Sequence, residues 1–330
     1  MTNLVIAAVG ALLATNQPVA LSNLVQSQTG LAVAVSATND PVEQALEKLM
    51  KDDDAARSEV EKWVADNEKF TEQGAGVPRE VMRRRIQERF AIIRKSYEGL
   101  ILQHTNRADV RVAFASWLGD TGEEELAIEQ LELARGIDTK DPAIWNNLAN
   151  LYGHNGDVKK SFEYYAKAIE LEPTEPVYYH NFGTTVFLFR KDAKEFYSIT
   201  EQQVFDKALG LYSNAVRLDP KDFKLAADVA QTFYGIQPPR VEDALRSWTN
   251  AYSLATDDEE REGVHLHFAR IKLKAGRFAE AQAHLNCVTN QAHADVKRRV
   301  TRTLKDAETV FISTNAPAAT NESSRPATSK

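Results

Sequence analysis

Between residues 142 and 175 apolar side chains recur every three or four positions in two short runs. Trp145, Leu148, Ala149 and Tyr152 share one face of a first predicted helix, and Ser161, Tyr165 and Ala168 share one face of a second. The residues between them, Gly153 to Asp157, carry turn chemistry: Asn155 and Gly156 tolerate the positive φ that ends a helix. Small residues at 149, 161 and 168 allow close approach of the two helices, and the aromatics fill the space around them. Pro173 closes the segment.

The same pattern returns at a fixed step. Ala115 and Ala149, Gly122 and Gly156, and Ala134 and Ala168 are each 34 residues apart, and Gly183 continues the series from Ala149. A unit over 108–141 precedes that over 142–175, with Arg111 at the place of the tryptophan. A third unit, 176–222, begins Tyr179, Phe182, Gly183, Val186 and resumes at Ala208, Tyr212, Ala215. The step from Ala168 to Ala215 is 47, so this unit carries an insert of 13 residues. Within it, Thr200 and Gln203 form a capping box that restarts the second helix, and Phe196 and Tyr197 are expected to cover the helix end at Phe187 to Phe189. A fourth unit (223–258) has Ala226, Val229, Ala230, Phe233, then Ala244, Trp248, Ala251. A fifth (262–290) has His265, Phe268, Ala269, then Ala281, Leu285, Val288.

Repetition at this length and phase resembles the tetratricopeptide repeat, whose pattern is W-x2-L-G-x2-Y, then A-x3-F, then Pro. The resemblance covers about 180 residues and implies an all-α, right-handed solenoid of helix hairpins. It also implies a non-catalytic protein–protein interaction scaffold that takes an extended polypeptide in its concave groove. A structural or assembly subunit, acting through the convex face or the N-terminus, is the alternative.

The flanks differ from the repeats. Asn39-Asp40-Pro41 and Asp52-Asp53-Asp54 read as helix starts, and Met82, Ile86, Phe90, Ile93, Tyr97 and Leu100 make one stripe. With Trp63 and Phe70 they predict a hairpin over 39–106 that caps the array. Residues 291–309 predict a final solvated helix, and 310–330 a disordered tail. Leu4 to Ala14 is apolar, of signal-peptide length and too short to span a bilayer. No Lys or Arg precedes Lys48, so the segment 1–38 is expected to dock on the body of the protein in the cytoplasm, with export the alternative.

Charge and composition narrow the partners. A net charge of −7 argues against broad phosphate binding, so no nucleic-acid partner is expected, nor a membrane partner. Arg83 to Arg85 read as a wet helix face beside Glu80 and Glu88. The single cysteine, Cys287, can form no disulfide within the chain and fits a small core position. No phosphate loop, dinucleotide fingerprint or metalloprotease helix motif is present, and no cofactor or metal is expected. His265 and His267 are two apart, on different sides of a helix, and His265 reads as a packing residue.

First-helix residues that do not pack on the second helix point into the groove. These are Asn146, Asn147 and Asn150, then His180, Asn181 and Thr184, then Lys224, Asp228 and Gln231. Asparagine is a poor helix former, so three in one helix cost about 1 kcal/mol relative to alanine. Their amides either bind the backbone of an extended peptide or bond to one another and to water. Asn150, Asn181 and Lys224 also stand where some tetratricopeptide co-chaperones hold a C-terminal carboxylate. That resemblance fails at Asn146, in place of lysine, and at Asp228, which puts a negative charge where an arginine is needed.

Overall fold

The starts of the helices follow from their caps. Asp40, Asp141 and Glu175 each accept the backbone N–H two residues on, at 2.8, 2.8 and 3.1 Å, with proline as the first helical residue. The computed structural model describes residues 40–315, which form helices and turns with no strand among them. The expectations for 1–38 and 316–330 lie outside these residues. The chain divides between Leu218 and Asp219 into two compact units.

The first unit begins with α1 (Pro41–Glu72) and α2 (Arg79–Gln103), a hairpin. Met82, Ile93 and Tyr97 of the expected stripe are buried, whereas Phe70 is 53% exposed and contributes little. Arg85 lies over the Trp63 ring at 3.7 Å rather than only facing water. Asp52 to Asp54 do not start a helix, because α1 runs straight through them. Asp53 is instead buried, bonding Arg57 one turn later at 2.9 Å.

Three repeat hairpins follow: α3 (Ala108–Asp120) with α4 (Glu124–Ile137), α5 (Pro142–His154) with α6 (Val158–Leu171), and α7 (Pro176–Leu188) with α9 (Glu201–Leu218). Gly122 and Gly156 take the positive φ of the intervening turns, 83° and 92°, while Asn155 stays at −79°. The glycine alone makes the turn. At Gly183 an added Cβ would sit 3.0 Å from the Tyr212 ring, so the small residue is what lets α7 and α9 close. Within the second hairpin, Ser161 Oγ donates to the Ala149 carbonyl at 2.7 Å, satisfying a buried hydroxyl at the contact.

The insert forms a helix of its own, α8 (Arg190–Tyr197), ended by Ser198 at φ 54°. The capping box then restarts α9: Thr200 N donates to Gln203 Oε1 at 2.9 Å and Gln203 N to Thr200 Oγ1 at 3.4 Å. Phe196 and Tyr197 pack on Phe162 of α6, with ring centroids 5.4 and 5.6 Å away, not on Phe187 to Phe189. The reason is register. The two turns of α8 carry the two rings back over the preceding hairpin, where Phe162 is 1% exposed.

The second unit contains α10 (Phe223–Thr232) and α11 (Val241–Leu254), α12 (Asp258–Lys274) and α13 (Phe278–Asn286), and α14 (Ala294–Asn315). Trp248 is its largest buried side chain, and the His267 ring stacks on it at 3.8 Å and 10°. Cys287 is exposed, contrary to the core position expected for it. Helix α13 ends one residue earlier, and Val288 fills the core instead. The last helix continues six residues past the boundary expected at 309, with Val300 and Leu304 buried.

Candidate protein-binding surface

The groove-facing positions of the first unit are brought together, and most are deeper than the sequence implies. Asn146 and Asn147 are both 0% exposed, and Asn150 and Asn181 are 9% and 8%. Full burial follows from the bonds these amides make. Asn181 Nδ2 donates to Asn146 Oδ1 at 3.2 Å, and Asn146 Nδ2 donates to Asn147 Oδ1 at 3.2 Å. The ladder thus crosses from α7 to α5, joining successive repeats through positions 35 residues apart. Asn147 Nδ2 is left buried without an acceptor, a local cost of about 1–3 kcal/mol.

Asn150 is held from the second helix of its own hairpin. Its Oδ1 accepts the phenol of Tyr165, and that phenol accepts Thr185 Oγ1 at 3.3 Å. Thr185 Oγ1 also lies 2.9 Å from the Asn181 carbonyl. Burial pushes the Tyr165 phenol well above the usual range, so it stays a donor at any physiological pH. The accessible edge of this face is formed by His180 and Thr184, both half-buried. Thr184 Oγ1 accepts the Tyr212 phenol at 3.0 Å, and the His180 ring sits 5.7 Å from the Tyr212 ring.

Asn146 and Asn147 are therefore parts of the framework rather than side chains offered to a ligand. The sequence pattern missed this because Tyr165 and Tyr212 read as packing aromatics. Their hydroxyls are what draw the amides and threonines inward. Thr185, four residues after Asn181, could have been found from the helical spacing alone.

In the second unit, Lys224, Asp228 and Gln231 lie on one face of α10 by the same spacing. Lys224 and Gln231 are exposed and Asp228 is half-buried. Charge and amide are thus separated: the face of the first unit is uncharged, and that of α10 carries one cation and one anion.

The model of the tetratricopeptide repeat family matches residues 142–175, the α5–α6 hairpin. The chain is a tetratricopeptide-repeat protein. Over 98 residues this tetratricopeptide-repeat protein is 33% identical to the photosystem I assembly protein Ycf3 of Prochlorococcus marinus subsp. pastoris. Over 102 residues it is 32% identical to the protein of the same name from a second strain of Prochlorococcus marinus. These stretches are 29% and 30% of this chain and 53% and 54% of theirs, so it spans about half the length of the curated relatives it matches. Among solved structures it is similar to YrrB, described as a TPR protein with an unusual peptide-binding site, at 15% identity and a TM-score of 0.46. That likeness covers 64% of this chain and 97% of YrrB. It is also similar to Pseudomonas aeruginosa pilF, at 12% identity and a TM-score of 0.48, over 78% and 99% of the two chains.

Proposed function

We propose that the protein is a non-catalytic scaffold that binds an extended polypeptide along the first-helix face of its repeats. The observation that carries this reading is the uncharged polar edge of the first unit. His180 and Thr184 stand at the edge of the face that carries the asparagine ladder, and Tyr212 orients both, through its phenol to Thr184 and its ring beside His180. A rigid row of neutral donors and acceptors suits a peptide backbone, whose N–H and C=O groups need both. A lipid tail or an apolar helix would leave those groups unpaired. The buried ladder then acts as support, holding two repeats in one register, and contact falls to the half-buried and exposed residues. In the second unit Lys224 and Gln231 extend the same role on α10.

Affinity capture with mass spectrometry tests this. His180→Ala with Thr184→Ala, and separately Lys224→Ala with Gln231→Ala, should each lose captured proteins while the helical spectrum stays unchanged. Undiminished capture by both folded variants would remove the groove from the account.

A second reading, an assembly subunit, is supported by the relatives named as photosystem I assembly proteins. It predicts that captured proteins are subunits of one complex and that both groove variants still enter it. The two readings separate on that result.

A further inference from the structure

We infer that a cleft beside the last helix of the second unit is a separate binding site, for a peptide segment rich in carboxylates. The cleft has a volume of about 630 Å³ and lies between the loop at Val288 to Asn290 and the helix α14. A volume in the range of about 300–1,000 Å³ is that of ordinary ligand pockets, so the cleft has room for the charged side chains of a bound segment. Its helical wall is mostly basic: residues 297–305 hold five cations and no acid, and Asp306 is the one acid of the helix that lines the cleft, in a chain of net charge −7. Arg298, Arg302 and Lys305 fall at i, i+4 and i+7, so all three line the cleft from one face.

These cations differ in how far the fold uses them. Lys297 is committed, donating to the Val288 carbonyl at 2.6 Å and so tying the loop to the helix. Arg298 pairs only with Asp295 on its own helix, with side chains 75% and 84% exposed, a contact worth little. Arg302 and Lys305 are exposed, and no carboxylate among the described residues pairs with them. Holding Arg302 and Lys305 on one face without a paired carboxylate is unfavourable for the free helix, and an anionic ligand would relieve it.

The chemistry around the cleft selects the ligand class. A phosphate cradle would need free backbone N–H groups at the loop. Those of Thr289 and Asn290 are already held by Glu262, at 2.7 and 2.6 Å. Nucleic acid would need more cations than three to compete with salt. What remains is two guanidinium forks that match carboxylates, one ammonium, and an apolar floor of Val288, Ala294 and the arginine and lysine stems. Helix-spaced glutamates on a partner segment fit that set.

The test uses the full chain and a fluorescein-labelled decapeptide of alternating glutamate turns, with the glutamine version as control. Anisotropy should show binding of the glutamate peptide that weakens with salt and is absent for the glutamine peptide. Arg302→Glu with Lys305→Glu should weaken it by at least about tenfold, a rim-charge effect amplified by reversal. Both side chains are exposed, so the fold should survive; Arg302→Gln alone serves as a milder variant if it does not. Equal affinity of wild type and charge-reversed protein would overturn the site. So would equal binding of the two peptides, binding of neither, or tighter binding of duplex RNA or of anionic vesicles. None of these outcomes depends on the groove variants.

Discussion

At the residue scale, two buried titratable groups give the units opposite responses to pH. In the first unit Arg57 lies between two carboxylates, bonding Asp53 at 2.9 Å and Asp120 at 2.9 Å, all three side chains about nine-tenths buried. Burial raises Asp120 to about 6, more than Arg57 lowers it, with Asp53 adding to the rise. A carboxyl raised in the folded state favours folding when protonated, so its contribution is lost as pH climbs from about 4 to above 6. Asp120→Asn removes that loss. Its melting temperature should gain on wild type between pH 5 and pH 8, corresponding to about 1.4 kcal/mol. A constant offset across that range would show that the site does not titrate. In the second unit, burial against Trp248 pushes His267 down to about 4. Here stability is present above about 6.5 and is lost as pH falls through 4, by up to about 3 kcal/mol. Hydrogen exchange should show α11 and α12 losing protection over that window in wild type, and a flatter profile in His267→Gln.

Helices carry most of what could be read in advance. Cap residues, turn glycines and the step of 34 gave the hairpins, because each acts locally and leaves a mark within one helical turn. Less legible were features fixed by neighbours distant in sequence. Asp53 looks like a helix start until Asp120, 67 positions later, supplies the far side of Arg57. Asn146 looks like a groove residue until Asn181 and the tyrosine hydroxyls are placed around it. The insert's target, Phe162, could not be chosen without knowing where α8 carries Phe196 and Tyr197. Two substitutions test these contacts by urea denaturation. Gly183→Ala forces a methyl against the Tyr212 ring and should cost about 1–3 kcal/mol. Tyr165→Phe leaves Asn150 without its buried donor and should cost about 1–2 kcal/mol, with the helical spectrum intact. A neutral result for Gly183→Ala would mean that Tyr212 yields freely and does not set the spacing of α7 and α9.

At the scale of the whole molecule, stacked repeats present an extended surface. Each repeat packs its aromatics and small residues on its neighbours, and polar side chains at the first-helix edge are held in place, Thr184 by the Tyr212 phenol. The central claim is that this edge meets the partner. A photo-crosslinking amino acid at His180, on α7, tests it directly in cells, with the same residue at exposed Lys159, on α6, as the control. The account predicts discrete protein adducts at His180 and none above background at Lys159; adducts at Lys159 with none at His180 would contradict it.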